Sequence, residues 1–268
     1  MTATNPLASR PVSRSLSRRS LVVAGAAGLP LAAILADPRL AALAAESTEA
    51  VTTTLPGGQS VTAALAVPDQ VPAGGVVLVH EWWGLNNEIK TMAAEFAREG
   101  FVALAVDLYG GSVGTTPEEA QALMKAVDPA IATETLSTWI DWLRSDPRVN
   151  GKVATLGWCF GGGWALNAAI ATPVEATIVY YGRVNRETGD LAMLSGPVLG
   201  HFGERDGNIN HEMVDPFVER MQEAGKPVEV HWYDADHAFA NPTSDRYDQD
   251  DAKLAWQRTL DFLRMYIG

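Results

Sequence analysis

Short apolar runs alternate with amphipathic stretches along most of the chain from about residue 46 onward. Runs such as GGVVLVH, FVALAVD and KVATLGW are uninterrupted, which is typical of strands covered on both faces. The stretches between them favour helices. Strands that alternate with helices predict a mainly parallel, twisted sheet with right-handed crossovers and helices on both faces. The predicted fold class is therefore α/β.

The ends of these elements carry their own signals. Within EAVTTTLPGGQSVTAALAVP, a turn at Pro56–Gly58 predicts two antiparallel strands at the start of the sheet. Thr116, Pro117 and Glu119 form a capping box with proline at the first helical position, ahead of one or two helices that reach about Ser145. The other predicted elements are a helix capped by Asn86 or Asn87 and ending near Arg98, strands at 152–158, 176–182, 197–204 and 228–234, and helices over 160–171, 210–223 and 250–266.

The first 45 residues have the composition of an export signal. Arg18 and Arg19 precede an apolar run over 21–36, and Ala42–Ala44 offers small residues for cleavage. The run has about 16 residues, fewer than the roughly 20 that span a bilayer. The arginine pair resembles the twin-arginine type of signal. A disordered basic tail or a membrane anchor is the alternative interpretation.

We therefore predict that residues 1–45 are removed near Ala44 or Ala45 and that residues 46–268 form a single exported domain, periplasmic or secreted. The removed segment carries five arginines and one aspartate, so the net charge changes from −12 to −16. So acidic a protein is not expected to bind nucleic acid or to insert stably into a membrane. Nothing in the sequence suggests a partner protein, and a monomer is predicted.

The chain contains a single cysteine, Cys159. One cysteine excludes an intramolecular disulfide framework and any Cys-rich metal site. A free thiol is also unusual in an exported protein, because oxidising compartments convert exposed thiols to disulfides. Export of an already folded protein would fit a thiol that is shielded in a pocket.

Cys159 lies where a buried strand ends and a small-residue helix begins, in the sequence GWCFGGG. The spacing Gly157–x–Cys159–x–Gly161 is that of a nucleophile elbow, with cysteine in place of the commoner serine. Side chains at the two glycine positions would collide in such a tight turn. The unpaired N–H groups at the start of the helix would favour a thiolate. The alternative is a cysteine that only fills the core.

A thiol nucleophile needs a base, and two later loops offer one together with an acid. In α/β hydrolases the order along the chain is nucleophile, acid, histidine. Asp206 follows a buried strand, and His237 follows the last strand. Asp234 and Asp236 are rival acids, but they lie very near His237 in sequence. The remaining histidines, which we interpret as structural or as part of a helix start, are His80, His201, His211 and His231.

The loop after the first parallel strand is expected to complete the site. A hydrolase places one oxyanion-hole N–H in this loop and the other on the residue after the nucleophile. The predicted donors are the backbone N–H groups of Trp82 and Phe160. Glu81 is either a solvated loop acid or a second proton acceptor for the thiol.

Taken together, these motifs resemble the dienelactone hydrolase family, whose members are carboxymethylenebutenolidase-like enzymes with the α/β-hydrolase fold. The matching motifs are His80–Gly84 (HEWWG), Asp107–Tyr109 (DLY), Gly157–Gly162 (GWCFGG), the loop Gly203–Asp206, and His231–Tyr233 with His237–Ala240 (HAFA). They extend over nearly the whole mature domain. The set is far more specific than any single motif in it.

The resemblance implies a reaction and a set of roles. Cys159, Asp206 and His237 would form a catalytic triad, and Glu81 would contact the resting thiol and help to deprotonate it. The sulfur would attack an ester or enol-lactone carbonyl, and water would hydrolyse the resulting thioester. The resemblance implies a small-molecule substrate, with no metal and no organic cofactor.

The chain departs from the family at the two arginines that hold the substrate carboxylate. Asn241 occupies one position, and residues 117–130 contain no arginine and only Lys125 as a base. A neutral amide cannot form a bidentate pair with a carboxylate. The predicted pocket is more apolar; beside Asn241 it includes Trp83, Tyr109, Trp158 and Phe239. A non-catalytic small-molecule-binding protein or thiol redox sensor on the same fold is the alternative function.

Overall fold

The computed structural model describes residues 31–268, so the arginine pair and most of the apolar run of the predicted signal lie outside the described residues. The strands are β1 Glu49–Thr54, β2 Ser60–Ala66, β3 Ala73–Val79, β4 Val102–Val106, β5 Val149–Trp158, β6 Ala176–Tyr180, β7 Val198–Gly203 and β8 Val228–Tyr233. The helices are α1 Leu31–Ala36, α2 Pro38–Ala45, α3 Asn87–Arg98, α4 Pro117–Ala126, α5 Pro129–Ser145, α6 Phe160–Ala171, α7 Thr188–Leu191, α8 His211–Glu223 and α9 Gln249–Ile267.

The eight strands form one sheet in the order β1-β2-β4-β3-β5-β6-β7-β8. β1 and β2 pair antiparallel through the predicted turn, and β2 is also antiparallel to β4. All the other neighbours are parallel. The predicted α/β class with a mainly parallel sheet is confirmed, and the carboxyl ends of β3, β5, β7 and β8 meet at one edge of the sheet.

Helices cover both faces of the sheet. Leu78, Leu156 and Tyr180 point to the layer that contains α3 and α9. Val77 and Val179 point to the opposite layer, which contains α5, α6 and α8. Side chains alternate between the two faces of a strand. Odd- and even-numbered residues of the central strands therefore lie on opposite faces of the sheet, and both sets are buried. This explains why these strands are continuous apolar runs in the sequence.

The predicted helix starts carry side-chain caps. Asn86 accepts a hydrogen bond from the N–H of Ile89, and Thr116 accepts one from Glu119. The region up to Ser145 forms two helices, α4 and α5. The four-residue helix α7 was not predicted, because an element of one turn has no hydrophobic period that could be detected.

The described end of the predicted signal packs against the domain. Ile34 and Leu35 of α1 and Ala41 of α2 are buried, and the hydroxyl of Thr91 on α3 donates to the Ala41 carbonyl at 3.0 Å. Among residues 31–268, no helix has both the length and the apolar character that crossing a bilayer requires.

Candidate active site

Cys159 lies in a tight turn between β5 and α6. Its backbone has φ 53° and ψ −118°, a left-handed conformation that is uncommon for a residue with a side chain. Glycine is required at positions 157 and 161, because other backbone atoms lie where a Cβ would be. A Cβ on Gly157 would lie 2.1 Å from the carbonyl oxygen of Gly161, and a Cβ on Gly161 would lie 2.2 Å from that of Val79 on β3. The turn places the partly exposed sulfur at the carboxyl edge of the sheet.

We expect Gly161→Ala to lower the free energy of unfolding by about 3 kcal/mol, since the added methyl group meets fixed backbone on β3 rather than a side chain that can move aside. Urea unfolding followed by circular dichroism would measure this. Gly57→Ala is the matched control, because a Cβ at Gly57 has nothing within 4 Å. Equal stabilities of the two variants would contradict the close approach of α6 to β3.

The predicted nucleophile, base and acid lie in one chain of contacts. The Nε2 atom of His237 lies 3.2 Å from Cys159 Sγ, and its Nδ1 donates to Asp206 Oδ2 at 2.5 Å. The backbone N–H groups of Asn208 and Ile209 donate to Asp206 Oδ1 at 2.9 and 3.0 Å. The carboxylate is therefore fixed from two sides and holds the imidazole towards the sulfur.

This arrangement changes the protonation of both titratable partners. Burial acts to raise the pKa of Asp206, but the hydrogen bond from His237 and the backbone N–H groups hold it below its ordinary value. Burial disfavours the charged ring of His237. The hydrogen bond to Asp206 and the adjacent sulfur outweigh that effect and raise the pKa of His237 to about 10. The ring is therefore an imidazolium at neutral pH, which suits a thiolate partner.

The raised pKa of His237 predicts an alkaline limit to turnover. If the imidazolium protonates the leaving alkoxide, kcat/KM for a neutral ester should fall through a midpoint near pH 10. Asp206→Asn should move this midpoint to lower pH, because it removes the carboxylate that favours the charged ring. Initial rates corrected for spontaneous hydrolysis would show the limb. A midpoint at about pH 6.5, the ordinary pKa of histidine, would contradict the raised pKa of His237.

Two backbone N–H groups beside Cys159 are open to a ligand. Within residues 31–268, the N–H groups of Trp82 and Phe160 have no hydrogen-bond acceptor. The loop that carries Trp82 is held from behind. His80 Nδ1 donates to the Glu81 carbonyl at 2.6 Å, and the Tyr109 hydroxyl donates to the Trp82 carbonyl at 3.1 Å. Donors that are fixed before the reaction are what an oxyanion hole needs.

Glu81 is buried, and among residues 31–268 its carboxyl group makes no hydrogen bond to the thiol. Its Oε2 accepts a hydrogen bond from the amide of Asn241 at 2.8 Å, and its Oε1 has no partner among the described residues. Burial raises the pKa of Glu81, and the Asn241 amide only partly opposes this. The expected contact between Glu81 and the resting thiol is therefore corrected. The thiol contacts His237, and the carboxyl group is held by the side chain that replaces the family's arginine.

We expect Glu81→Gln to leave the alkylation rate of Cys159 by iodoacetamide at neutral pH within about twofold, because the hydrogen-bond partner of the sulfur is His237. His237→Ala should slow the same reaction markedly. The only cysteine in the chain is Cys159, so total thiol loss reports on this site alone. A strongly reduced alkylation rate in Glu81→Gln would instead support the Glu81 carboxylate as the proton acceptor of the thiol.

The sulfur opens into a cavity of about 820 Å³. Of the residues predicted for the site, those that line it are Glu81, Trp82, Trp83, Cys159, Phe160, His237 and Asn241. Asp206 lies behind the His237 ring and is buried. Tyr109, which was predicted for the pocket, does not line this cavity; it lines a separate one, and its ring packs against His80 and Phe160.

The assignment of Trp158 and Phe239 to the pocket was wrong. Both are buried in the core layer that contains α9. Trp158 is the last residue of β5 and packs against Tyr180 on the neighbouring strand. Phe239 packs between Tyr181 and Tyr233. Closeness in sequence to a catalytic residue therefore does not place a side chain in the cavity.

The other histidines and the rival acids are engaged elsewhere. His201 is buried and bonded to the hydroxyls of Tyr233 and Thr259. Asp234 and Asp236 both pair with Arg205. His211 is exposed at the start of α8 and His231 contacts Glu229, so neither reaches the sulfur. In residues 31–268, no group of three or more His, Cys, Asp or Glu residues could hold a metal ion.

The structure adds functional side chains that the sequence analysis did not single out. The His80 ring supports the loop that carries Trp82. Its position as the first residue of the HEWWG motif could have indicated this role. Tyr181 packs its edge against His237, lines the cavity, and has a hydroxyl with no partner among the described residues. Trp164 and several arginines also line the cavity.

Comparisons with known proteins agree with this geometry. A sequence model described as the dienelactone hydrolase family matches residues 61–267. The chain belongs to the dienelactone hydrolase family. It is 30% identical over 220 residues to a carboxymethylenebutenolidase from Pseudomonas putida, a match that covers 77% of this chain and 92% of that protein.

Other members of the dienelactone hydrolase family are similarly close. Carboxymethylenebutenolidase 1 from Cupriavidus pinatubonensis is 28% identical over 211 residues, covering 75% of this chain and 90% of that one. A crystal structure assigned as a dienelactone hydrolase, from Klebsiella pneumoniae, superposes with a TM-score of 0.73 at 26% identity. It covers 82% of this chain and 99% of its own. This dienelactone hydrolase family member is accordingly a hydrolase that acts on carboxylic esters or lactones.

Proposed function

We propose that the protein is an exported cysteine-dependent hydrolase of carboxylic esters or (enol-)lactones that works through a thioester on Cys159. The observation that carries this proposal is the position of His237, which contacts both the Cys159 sulfur and the Asp206 carboxylate. The backbone N–H groups of Trp82 and Phe160 support it further, because they have no acceptor among residues 31–268 and both residues line the same cavity as Cys159. The substrate is a small molecule that fits the adjoining cavity.

The reaction follows from these groups. The thiolate sulfur of Cys159 attacks the carbonyl carbon, and the two N–H groups stabilise the negative charge on the oxygen. The carbon–oxygen bond to the alcohol then breaks, and the alkoxide takes a proton from the His237 imidazolium. Neutral His237 next removes a proton from water, which attacks the thioester. Collapse of the second intermediate releases the acid and restores the thiolate beside the imidazolium.

Selective alkylation of the thiol tests the proposal. Hydrolysis of short p-nitrophenyl esters and of lactones should be measured before and after iodoacetamide treatment, with mass spectrometry to confirm a single adduct. We expect turnover by the native protein and its loss in proportion to alkylation. A thiol redox sensor or a non-catalytic binding protein would still be alkylated at Cys159, but it would hydrolyse no ester before treatment. That result would overturn the enzymatic proposal.

Export of the enzyme is supported by Arg18, Arg19 and the apolar run that follows them. It also agrees with a lone thiol that is partly buried and contacts the His237 ring. N-terminal sequencing of the exported protein should find a start within one or two residues of Ala44 or Ala45. Replacing both arginines with lysine should retain the protein in the cytoplasm; unaffected export would contradict a twin-arginine signal. The monomeric state stays a prediction.

A further inference from the structure

The cavity beside Cys159 has a positive rim although the chain as a whole is acidic. Three arginines line it, namely Arg183, Arg186 and Arg246, in a chain with a net charge of −12. The carboxylates in the lining are Glu81, which is held by Asn241, and Asp245. The local field of a pocket decides which ligands enter it, and here its sign opposes that of the whole protein.

These three arginines differ in how they are engaged. Arg186 is held in place, because its guanidinium donates to Asn167 Oδ1 and to the carbonyls of Asn185 and Gly163. Among residues 31–268, the guanidinium groups of Arg183 and Arg246 have neither an ion-pair nor a hydrogen-bond partner. Both are exposed at the cavity, and Arg246 has no salt bridge with the adjacent Asp245.

Several arginines elsewhere in the described chain are paired with the protein's own acids. Arg144 pairs with Glu175, and Arg264 pairs with Glu99. An acidic surface offers many such partners. The two cavity arginines without partners therefore retain all their donors for a ligand.

The two arginines come from different loops. Arg183 lies in the loop after β6, directly after Gly182, which packs against Gly162 in the first turn of α6. Arg183 is thus anchored next to the helix that begins after the nucleophile. Arg246 lies in the loop between β8 and α9 and lines the same cavity.

The remaining wall of the cavity is aromatic. Its rings belong to Trp82, Trp83, Phe160 and Trp164, and Trp82 packs against Trp83 with ring centroids 4.9 Å apart. The cavity therefore combines an apolar side, which suits the body of a substrate, with a cationic side, which suits an acid group.

We propose that Arg183 and Arg246 form an anion-binding site at the rim of the active-site cavity and select esters or lactones that carry a carboxylate. The proposal rests on the proposed hydrolase function, whose substrate class it narrows. It also assigns carboxylate recognition to two loops other than those at Asn241 and residues 117–130, where this chain lacks arginine.

A matched pair of esters tests the selection. The p-nitrophenyl monoester of glutarate carries a free carboxylate, and its methyl-capped counterpart is neutral. Native enzyme should prefer the anionic ester in kcat/KM, and Arg183→Gln/Arg246→Gln should lower the ratio of the two constants about tenfold or more. Each single variant should lower it less. Arg264→Gln, which removes a distant surface arginine paired with Glu99, should keep the native ratio.

A second measurement does not depend on turnover. Iodoacetate is an anion and iodoacetamide is neutral, and both alkylate the single thiol, Cys159. The ratio of their rates, referred to the same ratio for a small free thiol, should be several times higher in the native protein than in the double variant. An unchanged alkylation ratio in the double variant overturns the anion site. If the double variant has the lower alkylation ratio but the native protein hydrolyses neither ester, the anion site is supported and the proposed hydrolase function is overturned.

Discussion

Cys159→Ala is expected to lower kcat for p-nitrophenyl esters and lactones by about 10⁴–10⁶-fold, the size of effect seen when a catalytic nucleophile is deleted. Without the sulfur no thioester forms, and His237 can at most assist direct attack by water. The binding of substrate to the cavity should change little, since the methyl group of alanine occupies the same turn. Single-turnover kinetics and steady-state kinetics would together measure the loss.

Two controls make this result specific. The melting temperature of Cys159→Ala should remain near that of the native protein. Alanine has a Cβ, as cysteine does, so the backbone strain at φ 53° is the same in both proteins. Alkylation by iodoacetamide should disappear completely, since no other thiol exists in the chain. Turnover within tenfold of the native rate would remove Cys159 from the mechanism.

His237→Ala and Asp206→Asn should both reduce kcat strongly, but to different extents. Loss of the ring removes the base and the acid of both half-reactions, so about 10⁴-fold or more is expected. Loss of the carboxylate charge leaves the ring in place but less well oriented and less basic, and we expect a reduction about ten to a hundred times smaller. Because the three residues act as a unit, adding His237→Ala to Cys159→Ala should cost little more than Cys159→Ala alone.

The loop that carries His237 supplies a matched control for the acid. Asp236 is partly exposed and pairs with Arg205, whereas Asp206 is buried and bonded to the catalytic ring. Asp236→Asn should therefore retain most of the native kcat. Exposed His211, which contacts Glu204 and Asp215, provides the equivalent control for the histidine. Equal activity in Asp206→Asn and Asp236→Asn would contradict the assignment of the acid.

Much of this architecture is encoded locally and could be predicted from the sequence. Gly157 and Gly161 identify the turn around Cys159, because only a residue without a side chain tolerates backbone at about 2 Å from its Cβ position. The parallel order of the sheet then brings the loops that carry Asp206 and His237 to the same edge. Patterns of this kind depend on neighbours in the chain or on topology, both of which the sequence expresses directly.

The walls of the cavity could not be predicted in the same way. Trp158 is adjacent to Cys159, yet its ring is buried in the core layer that contains α3 and α9 and does not reach the cavity. Phe239 follows Ala238, whose φ of 66° redirects the chain after His237. Arg183 and Arg246 lie in irregular loops with no period. Their common cavity depends on how the loops after β6 and β8 fold over the sheet edge.

The contact between α1–α2 and α3 bears on the maturation of the enzyme. Proteolysis at Ala44 or Ala45 would release both helices, and with them the buried side chains of Ile34 and Leu35. Thr91 would lose its acceptor on Ala41 but keep the one on Asn87, at 2.7 Å. The processed enzyme would then expose to water a strip of α3 that its precursor keeps dry. If processing occurs as proposed, stability measured on the full-length chain would therefore differ from that of the processed form.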